Sequence, residues 1–543
     1  MSRGVWFAAL IGLMVLWFAP LGSFQLFNPD EGRYAEIPRE MVASGDWVTP
    51  RLNDLRYFEK PPLQYWATAL SYEAFGAREW TARLWVALSG FAGLLLTLWI
   101  GTRLYGAATG TMAVIVQAGS LLYLLFSRIL TLDMGLTATL ELALVGLLLL
   151  VHAERTDKDT RLGALLLALG VALAFLAKGL VGILIPGACA ACYVLWRRDW
   201  HLIVRARPWW TLLALALLAA PWVVLIEGRN PGFAQFFFVH EHFARYLTRE
   251  AERYQPDWFF VPVLLVAFMP WTPLMPSIIK RSWADFRAGD PAGQMLAIWV
   301  VFNFAFFSLS QSKLIPYILP LFPALCLIAG RTLVLLDPRR LRRALLTSSA
   351  LGLAVGLAAL GLTQVPELMM RWHVPEGSAV PAIACGFLLS ACATATGAWL
   401  ARRRGPMAAS AVATLGSLLL VTSAVVTADQ LPGQRHYRRL VEEASTLLHP
   451  GTAFYCVDEY KQSMVFYLRH TCTLVGYRGE LDFGLSKDPG RWIPNLDQFA
   501  ERWRNDANAL AIIRPESYAT LQRMGLPMRT IYVAPKLVAV VKP

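Results

Sequence analysis

Apolar runs of about 17 to 25 residues, the length of a membrane-spanning helix, recur through most of this chain. The chain has 543 residues, and the runs extend from Val5 to Val426. Lipid offers a backbone amide no hydrogen-bond partner, so many such runs in one chain require a bundle of membrane-spanning helices. Hydrophobic residues make up 56% of the chain and charged residues only 16%, which excludes an ordinary soluble domain.

These runs predict an α-helical polytopic membrane protein with about 13 transmembrane helices. The predicted spans are residues 5–22, 79–104, 106–126, 133–152, 162–178, 180–196, 209–227, 258–279, 293–310, 316–333, 344–364, 379–401 and 406–428. An apolar stretch at residues 61–76 is shorter and starts with two prolines, so we predict an interfacial or re-entrant helix there.

Clusters of arginine and lysine fall in alternate short loops, and the positive-inside rule assigns those loops to the cytoplasm. The clusters are Arg155, Lys158 and Arg161; Arg197, Arg198, Arg205 and Arg207; Lys280, Arg281 and Arg287; Arg339, Arg340, Arg342 and Arg343; and Arg402, Arg403 and Arg404. The N-terminus is then inside, and the chain after Val426 is outside. The net charge of +13 follows largely from this bias. No basic helix has interleaved aromatic residues, so no nucleic-acid partner is expected.

The chain divides into a transmembrane domain, residues 1–428, and a small α/β domain, residues 429–543. In the second domain we predict helices at 438–448 and 496–508, and strands at 452–457, 473–475, 509–513 and within 529–541. Cys456 and Cys472 lie in this outer domain, where a disulfide is permitted and two buried thiols are the alternative.

Two outer loops, residues 23–78 and 228–257, are unusually long. The amphipathic stretch 31–44 of the first loop is suited to lying at the depth of the lipid headgroups. The second loop is rich in Phe and Tyr beside His and Arg, a mixture typical of a membrane interface. We expect both loops to cover the outer end of the bundle.

The first loop carries the most specific strings of the sequence. An acidic pair opens the string NPDEGRY at residues 28–34, and Glu-Lys-Pro-Pro precedes an apolar helix in the string YFEKPPL at residues 57–63. This layout resembles the GT-C class of glycosyltransferases that use polyprenyl phosphate sugars, the family of protein O-mannosyltransferases. The fuller strings DEGRYAEIPREM at 30–41 and RYFEKPP at 56–62 are similar to lipid A aminoarabinose transferases, although that family often has Thr in place of Gly32.

Shorter motifs extend the resemblance through the membrane domain: TLD at 131–133, AKG at 177–179 and SKLIPY at 312–317. The resemblance implies a GT-C fold with a periplasmic α/β domain in the bacterial inner membrane. It also implies inverting transfer of 4-amino-4-deoxy-L-arabinose from undecaprenyl phosphate to lipid A phosphates by a monomer, giving resistance to polymyxin. The alternatives are a protein or polysaccharide glycosyltransferase that uses another polyprenyl sugar, a flippase or transporter for lipid-linked sugar, or a receptor for phosphorylated lipid.

Displacement of a phosphate from an anomeric carbon requires cations for the leaving phosphate and carboxylates near the sugar. The candidate catalytic carboxylates are Asp30, Asp133 and Glu31, and the candidate donor-phosphate ligands are Lys60, Arg245, Arg33 and Arg128. The candidate substrate-binding residues are Tyr34, Tyr57, Glu59, Tyr317, Lys313 and Lys178.

Each of these residue types also has an ordinary structural role. Asp30 and Asp133 are well placed to cap helices, and Lys178 to offset a helix dipole. Basic residues beside a membrane often extend to the lipid headgroups instead. Asp30 is a general base if a hydroxyl group attacks, but only a positioning group if an anionic phosphate attacks. No cofactor is required, although Glu59 and His240 offer ligands for a divalent metal such as zinc.

Overall fold

The computed structural model describes residues 3–152, 154–238, 254–365, 379–430 and 432–543, and for 3–10 and 432–436 only the backbone is described. The bundle helices are α1 Arg3–Phe18, α2 Asp30–Ser44, α3 Leu63–Phe75, α4 Glu79–Tyr105, α5 Ala107–Gly119, α6 Leu121–Phe126, α7 Leu132–Val151, α8 Asp157–Lys178, α9 Val181–Arg197, α10 His201–Arg229, α11 Phe260–Ala267, α12 Met275–Arg287, α13 Pro291–Leu309, α14 Ile315–Val334, α15 Pro338–Thr363, α16 Val380–Arg403 and α17 Gly405–Val426. Strands β1 Arg51–Leu52 and β2 Leu55–Arg56 form a short antiparallel hairpin in the first outer loop.

Nine helices in the described ranges are long and apolar enough to cross a membrane. They are α4, α7, α8, α10 and α13 to α17. The segment from 257 to 287 bends by 109° between two apolar helices, so it is either one broken span or a re-entrant loop. Three shorter apolar helices occupy Ile11–Gly22, Ala107–Gly119 and Val181–Arg197. The polytopic helical fold is therefore confirmed, while the count of about 13 spans stays a prediction.

The C-terminal part of the chain forms a six-stranded sheet with helices packed against it. Its strands are β3 Ala453–Val457, β4 Thr473–Val475, β5 Trp492–Ile493, β6 Ala509–Ile513, β7 Arg529–Ala534 and β8 Leu537–Val541, in the order β5-β4-β3-β6-β8-β7. Its helices are α18 Pro432–Ser445, α19 Gln462–Leu468, α20 Asp482–Lys487, α21 Leu496–Asn505 and α22 Pro515–Arg523. The first four strands in that order are parallel, and β8 and β7 are antiparallel.

The predicted strands at 473–475 and 509–513 are confirmed, whereas the helix predicted at 438–448 begins earlier, at Pro432. Helices α19 and α22 were not predicted, because seven and nine residues are too few to show a clear helical period. Cys456 and Cys472 are both buried as free thiols.

Helix α7 lies inside the bundle, because the protein buries 89% of an apolar stretch of 18 of its residues. Glycines let α8 approach it closely, because a Cβ added at Gly146 would lie 2.5 Å from the backbone nitrogen of Leu167. A Cβ at Gly170 would likewise lie 2.4 Å from the nitrogen of Ala143. Small residues at helix crossings are a common means of tight packing in lipid. Helix α7 is therefore a rigid support for the side chains in its first turn.

Helix α2 lies between α3 and helix α19 of the C-terminal domain. Ten of its 15 residues are buried. The C-terminal domain therefore covers this amphipathic stretch, and its predicted position at the depth of the lipid headgroups stays a prediction. We call the end of the bundle that meets this domain the site end.

Candidate active site

A cavity of about 370 Å³ opens at the site end, where α2, α7, α8 and α14 meet. The charged residues that line it are Asp30, Arg33, Glu59, Lys60, Asp133 and Lys178. Tyr34 and Tyr317 contribute phenol rings, and Phe306, Phe307 and Ile315 form part of an apolar wall. Eight of the residues predicted from sequence thus meet in one cavity, although they come from five separate stretches of the chain.

Asp30 and Arg33 lie one turn apart at the start of α2. Arg33 Nη1 lies 3.0 Å from Asp30 Oδ1, and Arg33 also contacts Glu480 of the C-terminal domain. The side chain of Asp30 is 42% exposed, whereas that of Arg33 is only 7% exposed. Asp30 is therefore the accessible member of the pair, and Arg33 binds its carboxylate from the buried side.

Lys60 and Glu59 lie where the first loop enters α3. Lys60 Nζ donates a hydrogen bond of 2.8 Å to the backbone oxygen of Glu59 and lies 4.0 Å from its carboxylate. Pro61 and Pro62 follow at once, and a proline has no backbone N–H to leave unsatisfied at the start of a helix. The prolines thus fix the site at which the chain turns into α3 and place the ammonium group on the cavity wall.

Asp133 and Lys178 form the second ion pair of the cavity, with Lys178 Nζ 2.5 Å from Asp133 Oδ1. Lys178 Nζ also lies 4.4 Å from the ring centroid of Tyr317. Asp133 lies in the first turn of α7 and Lys178 in the last turn of α8, so both helix dipoles favour these charges. Asp133 and Lys178 therefore offset the helix dipoles and also line the cavity.

The tyrosines of the first loop are buried beside the cations. Burial raises the pKa of Tyr34 and of Tyr57 above the ordinary value, and Arg33 opposes the shift in each case. Both phenols therefore stay neutral and can donate their O–H. Tyr34 lines the cavity, whereas Tyr57 lies behind Arg33, with 6.0 Å between the guanidinium carbon and the ring centroid.

The structure places three predicted site residues elsewhere. Both oxygens of Glu31 bind Arg83. Arg128 is buried and donates a hydrogen bond of 2.6 Å to the backbone oxygen of Leu16. Lys313 Nζ donates to two backbone oxygens, those of Ser310 at 2.6 Å and Gln255 at 2.9 Å. None of the three lines the cavity in the described part of the chain, and the contacts of each are with the protein itself, so their catalytic or substrate-binding roles stay predictions.

Arg245 and His240 lie outside the described residues, so their predicted roles stay predictions. Among the described residues, no group of three or more His, Cys, Asp or Glu side chains is arranged to hold a metal ion. Glu59 lines the same cavity as Lys60 and Asp30.

Two residues that matter to the site were not predicted. Arg83, fully buried in α4, could have been suspected, because a charge within an apolar span is seldom incidental. Glu480 carries no such signal, since it lies in a polar loop more than 400 positions from its partner Arg33.

Comparison with known proteins extends over the whole chain. Residues 5–237 match the family model of dolichyl-phosphate-mannose-protein mannosyltransferases, and residues 440–542 match the aminoarabinose transferase C-terminal domain. An undecaprenyl phosphate-α-4-amino-4-deoxy-L-arabinose arabinosyl transferase of Pseudomonas paraeruginosa is 32% identical over 540 residues, covering 96% of this chain and 95% of that protein. A relative of the same name from Pseudomonas aeruginosa strain UCBPP-PA14 is 32% identical over 557 residues, with the same coverage.

Solved structures agree with the sequence relatives. The crystal structure of ArnT from Cupriavidus metallidurans bound to undecaprenyl phosphate has a TM-score of 0.92 and 33% identity, covering 100% of this chain and 98% of that one. Its apo structure has a TM-score of 0.91 and 32% identity, covering 99% and 98%.

These matches define the class: the chain is a multi-pass membrane glycosyltransferase of the GT-C fold that depends on a polyprenyl phosphate. Because relatives at 32% identity are matched almost from end to end, the chain belongs to the undecaprenyl phosphate-4-amino-4-deoxy-L-arabinose arabinosyltransferase family.

Proposed function

We propose that this enzyme transfers 4-amino-4-deoxy-L-arabinose from undecaprenyl phosphate to a phosphate group of lipid A. The observation that carries the proposal is the convergence of Asp30, Lys60, Asp133 and Lys178 on one cavity at the site end. The near-complete match to a structure bound to undecaprenyl phosphate supports the donor. The site end and the C-terminal domain face the periplasm in this proposal, and the spans lie in the bacterial inner membrane.

Lys60 binds the phosphate of the donor in this scheme, because it is a compact cation that lines the cavity. The apolar wall around Phe306 and Phe307 accepts the first isoprene units of the lipid tail. Lys178 supplies a second positive charge on the cavity wall and attracts the anionic phosphate of the donor.

The transfer is a single displacement with inversion. An oxygen of the lipid A phosphate attacks the anomeric carbon, the bond from that carbon to the donor phosphate oxygen breaks, and undecaprenyl phosphate leaves with the electron pair. A phosphate monoester is already anionic near neutral pH, so its attack needs no general base. Asp30 and Asp133 then position the ammonium group of the sugar and stabilise the positive charge that develops on the ring.

Asp30→Asn separates positioning from base catalysis. If Asp30 positions the sugar, the variant loses turnover equally at all pH values; if it removes a proton, the loss depends on pH. Full turnover at every pH would exclude Asp30 from the mechanism.

The proposed reaction needs no nucleotide sugar and no organic cofactor. Glu59, with His240 from outside the described residues, would be the protein ligands of a divalent metal such as zinc. Turnover after dialysis against a chelator tests whether the reaction needs this metal. Unchanged rates exclude the metal, whereas a loss of turnover that is restored by added zinc establishes it.

The decisive experiment incubates purified protein with undecaprenyl phosphate aminoarabinose and lipid A, and measures the mass of the lipid product. The expected result is a gain of one amino pentose on lipid A, and Lys60→Ala abolishes it. Lys158→Ala is the matched control, because Lys158 is exposed in the first turn of α8, away from the cavity. Sugar on a protein or polysaccharide, or lipid movement without a product, would instead favour a different acceptor or a transporter.

In cells, the added amino sugar reduces the negative charge of the outer surface and so weakens the attraction of cationic peptides. Deleting the gene should therefore increase sensitivity to polymyxin, and wild-type protein, but not Lys60→Ala, should restore resistance. We also propose that the enzyme acts as a monomer.

A further inference from the structure

A continuous polar network joins the C-terminal domain to the cavity. Gln462 Nε2 donates a hydrogen bond of 2.8 Å to Glu480 Oε1, and the other oxygen of Glu480 pairs with Arg33 Nη2. Arg33 Nη1 in turn lies 3.0 Å from Asp30 Oδ1. The network therefore runs from helix α19 through Glu480 and Arg33 to the exposed carboxylate of Asp30.

The network is shielded from water along most of its length. The side chains of Glu480 and Arg33 are 12% and 7% exposed, and Gln462 is buried. Burial raises the pKa of Glu480, and the charge of Arg33 opposes this shift. A charge-assisted hydrogen bond in such surroundings is stronger and more directional than one at the surface.

The backbone around the network is docked closely enough to hold this geometry. Asn28 Oδ1 accepts a hydrogen bond of 3.0 Å from the backbone N–H of Ser463, at the start of α19. A Cβ added at Gly32 would lie 2.2 Å from the same nitrogen, so the absence of a side chain at Gly32 permits the contact. Helix α19 thus touches α2 directly beside Asp30 and Arg33.

We infer that Glu480 is a positioning residue for the transfer reaction, and that the C-terminal domain acts on the cavity through it. Glu480 occupies one arm of the Arg33 guanidinium, so only the other arm remains for Asp30. Without the negative charge of Glu480, the carboxylate of Asp30 is the stronger partner for both arms and forms a fork with them, which draws that carboxylate away from the sugar. This inference rests on the proposed function.

Glu480→Gln in the full-length protein tests it. We count kcat per donor-binding site and expect it to fall about 10- to 100-fold, which is the effect of losing one charge-assisted hydrogen bond. The affinity for undecaprenyl phosphate should be unchanged. Glu480→Asp keeps a carboxylate and should recover part of kcat. Asp482→Asn is the matched control, because Asp482 lies two residues away, is 61% exposed and pairs only with Arg478 among the described residues.

The outcomes separate this inference from the proposed function. Wild-type protein that transfers no sugar would overturn the function itself. An active wild type with wild-type kcat in Glu480→Gln would overturn only the role of Glu480. A fall in total turnover that only matches the loss of donor-binding sites would also overturn it, because kcat per site is then unchanged and the pattern indicates a misfolded fraction and not a misplaced Asp30. The double variant Arg33→Gln/Glu480→Gln should be no slower than the slower single variant.

Discussion

Glu31 and Arg83 form a two-pronged ion pair inside the site end, with 2.8 Å from Arg83 Nε to Oε1 and 2.8 Å from Nη2 to Oε2. Glu31 also accepts hydrogen bonds from the backbone N–H groups of Phe27 and Leu130, at 2.9 and 2.7 Å. This pair ties α2, which carries Asp30, to α4 and to the loop that leads into α7. The separation of the two proposed catalytic carboxylates is therefore set by a residue that touches neither substrate.

Glu31→Gln should destabilise the protein strongly, because it leaves the buried charge of Arg83 without its counterion. Removing one member of a buried ion pair typically costs about 3–5 kcal/mol. Thermal unfolding of the purified protein in detergent should show a large loss of melting temperature. Glu73→Gln, at an exposed position of α3, is the control and should change little. Equal melting temperatures for the two variants would contradict this account.

Gly32→Ala should loosen the C-terminal domain from the bundle. The new Cβ would lie 2.2 Å from the nitrogen and 2.6 Å from the Cα of Ser463, and backbone atoms cannot move aside as a flexible side chain can. Overpacking of this kind costs about 1–3 kcal/mol. We expect faster release of the C-terminal domain by a protease. Gly12→Ala is the control, since its Cβ would meet no atom within 4 Å; equal release rates would contradict the prediction.

Glu40 should make stability depend on pH. Burial raises its pKa well above the ordinary value of 4.5, and repulsion by Glu36 one turn away adds to the shift. A raised pKa means that the folded state binds the proton more tightly than the unfolded state. The contribution of protonated Glu40 to the free energy of unfolding is then fully present below about pH 4.5 and is lost as the pH rises through the pKa of the folded state.

Glu40→Gln mimics the protonated carboxyl, so its melting temperature should exceed that of the wild type by a margin that grows with pH. Melting curves between about pH 5 and about pH 9 measure this margin. Glu442→Gln, whose side chain is 63% exposed, should follow the wild-type curve. A constant difference between Glu40→Gln and the wild type across the range would argue against a buried titrating carboxyl.

The sequence was sufficient for the architecture because apolar length and alternation act locally. The run predicted to span 133–152 corresponds to α7 at Leu132–Val151, and the predicted strand 509–513 corresponds to β6. Periodicity could not reveal what covers an amphipathic helix: the pattern of α2 favoured a position at the depth of the lipid headgroups, but gave no sign that α19 of the C-terminal domain packs against it.

The direction of each polar side chain was the harder part to predict. Asp30 and Glu31 are adjacent in the most specific string, yet successive helix residues point about 100° apart, so one faces the cavity and the other faces Arg83. Lys313 lies in a short motif that resembles the family, but its ammonium group binds backbone oxygens. Local strings identify which residues matter, whereas the distinction between substrate contact and scaffold depends on long-range packing.

Lys178→Met removes the cation that lies 2.5 Å from Asp133, and leaves that carboxylate on the cavity wall without this partner. An uncompensated negative charge repels an anionic donor, so KM for the donor should rise about tenfold or more, equivalent to about 1.4 kcal/mol. Asp133→Asn keeps the cation and should instead lower kcat, by about 100-fold if Asp133 acts on the sugar. Initial rates over a range of donor concentrations separate the two effects, and Lys158→Met, at the opposite end of α8, is the control.

The double variant Lys178→Met/Asp133→Asn has no unpaired charge at this position and should recover melting temperature but not turnover. An unchanged KM in Lys178→Met would mean that the ion pair only joins α8 to α7, and that the donor phosphate is held by Lys60 without help from across the cavity.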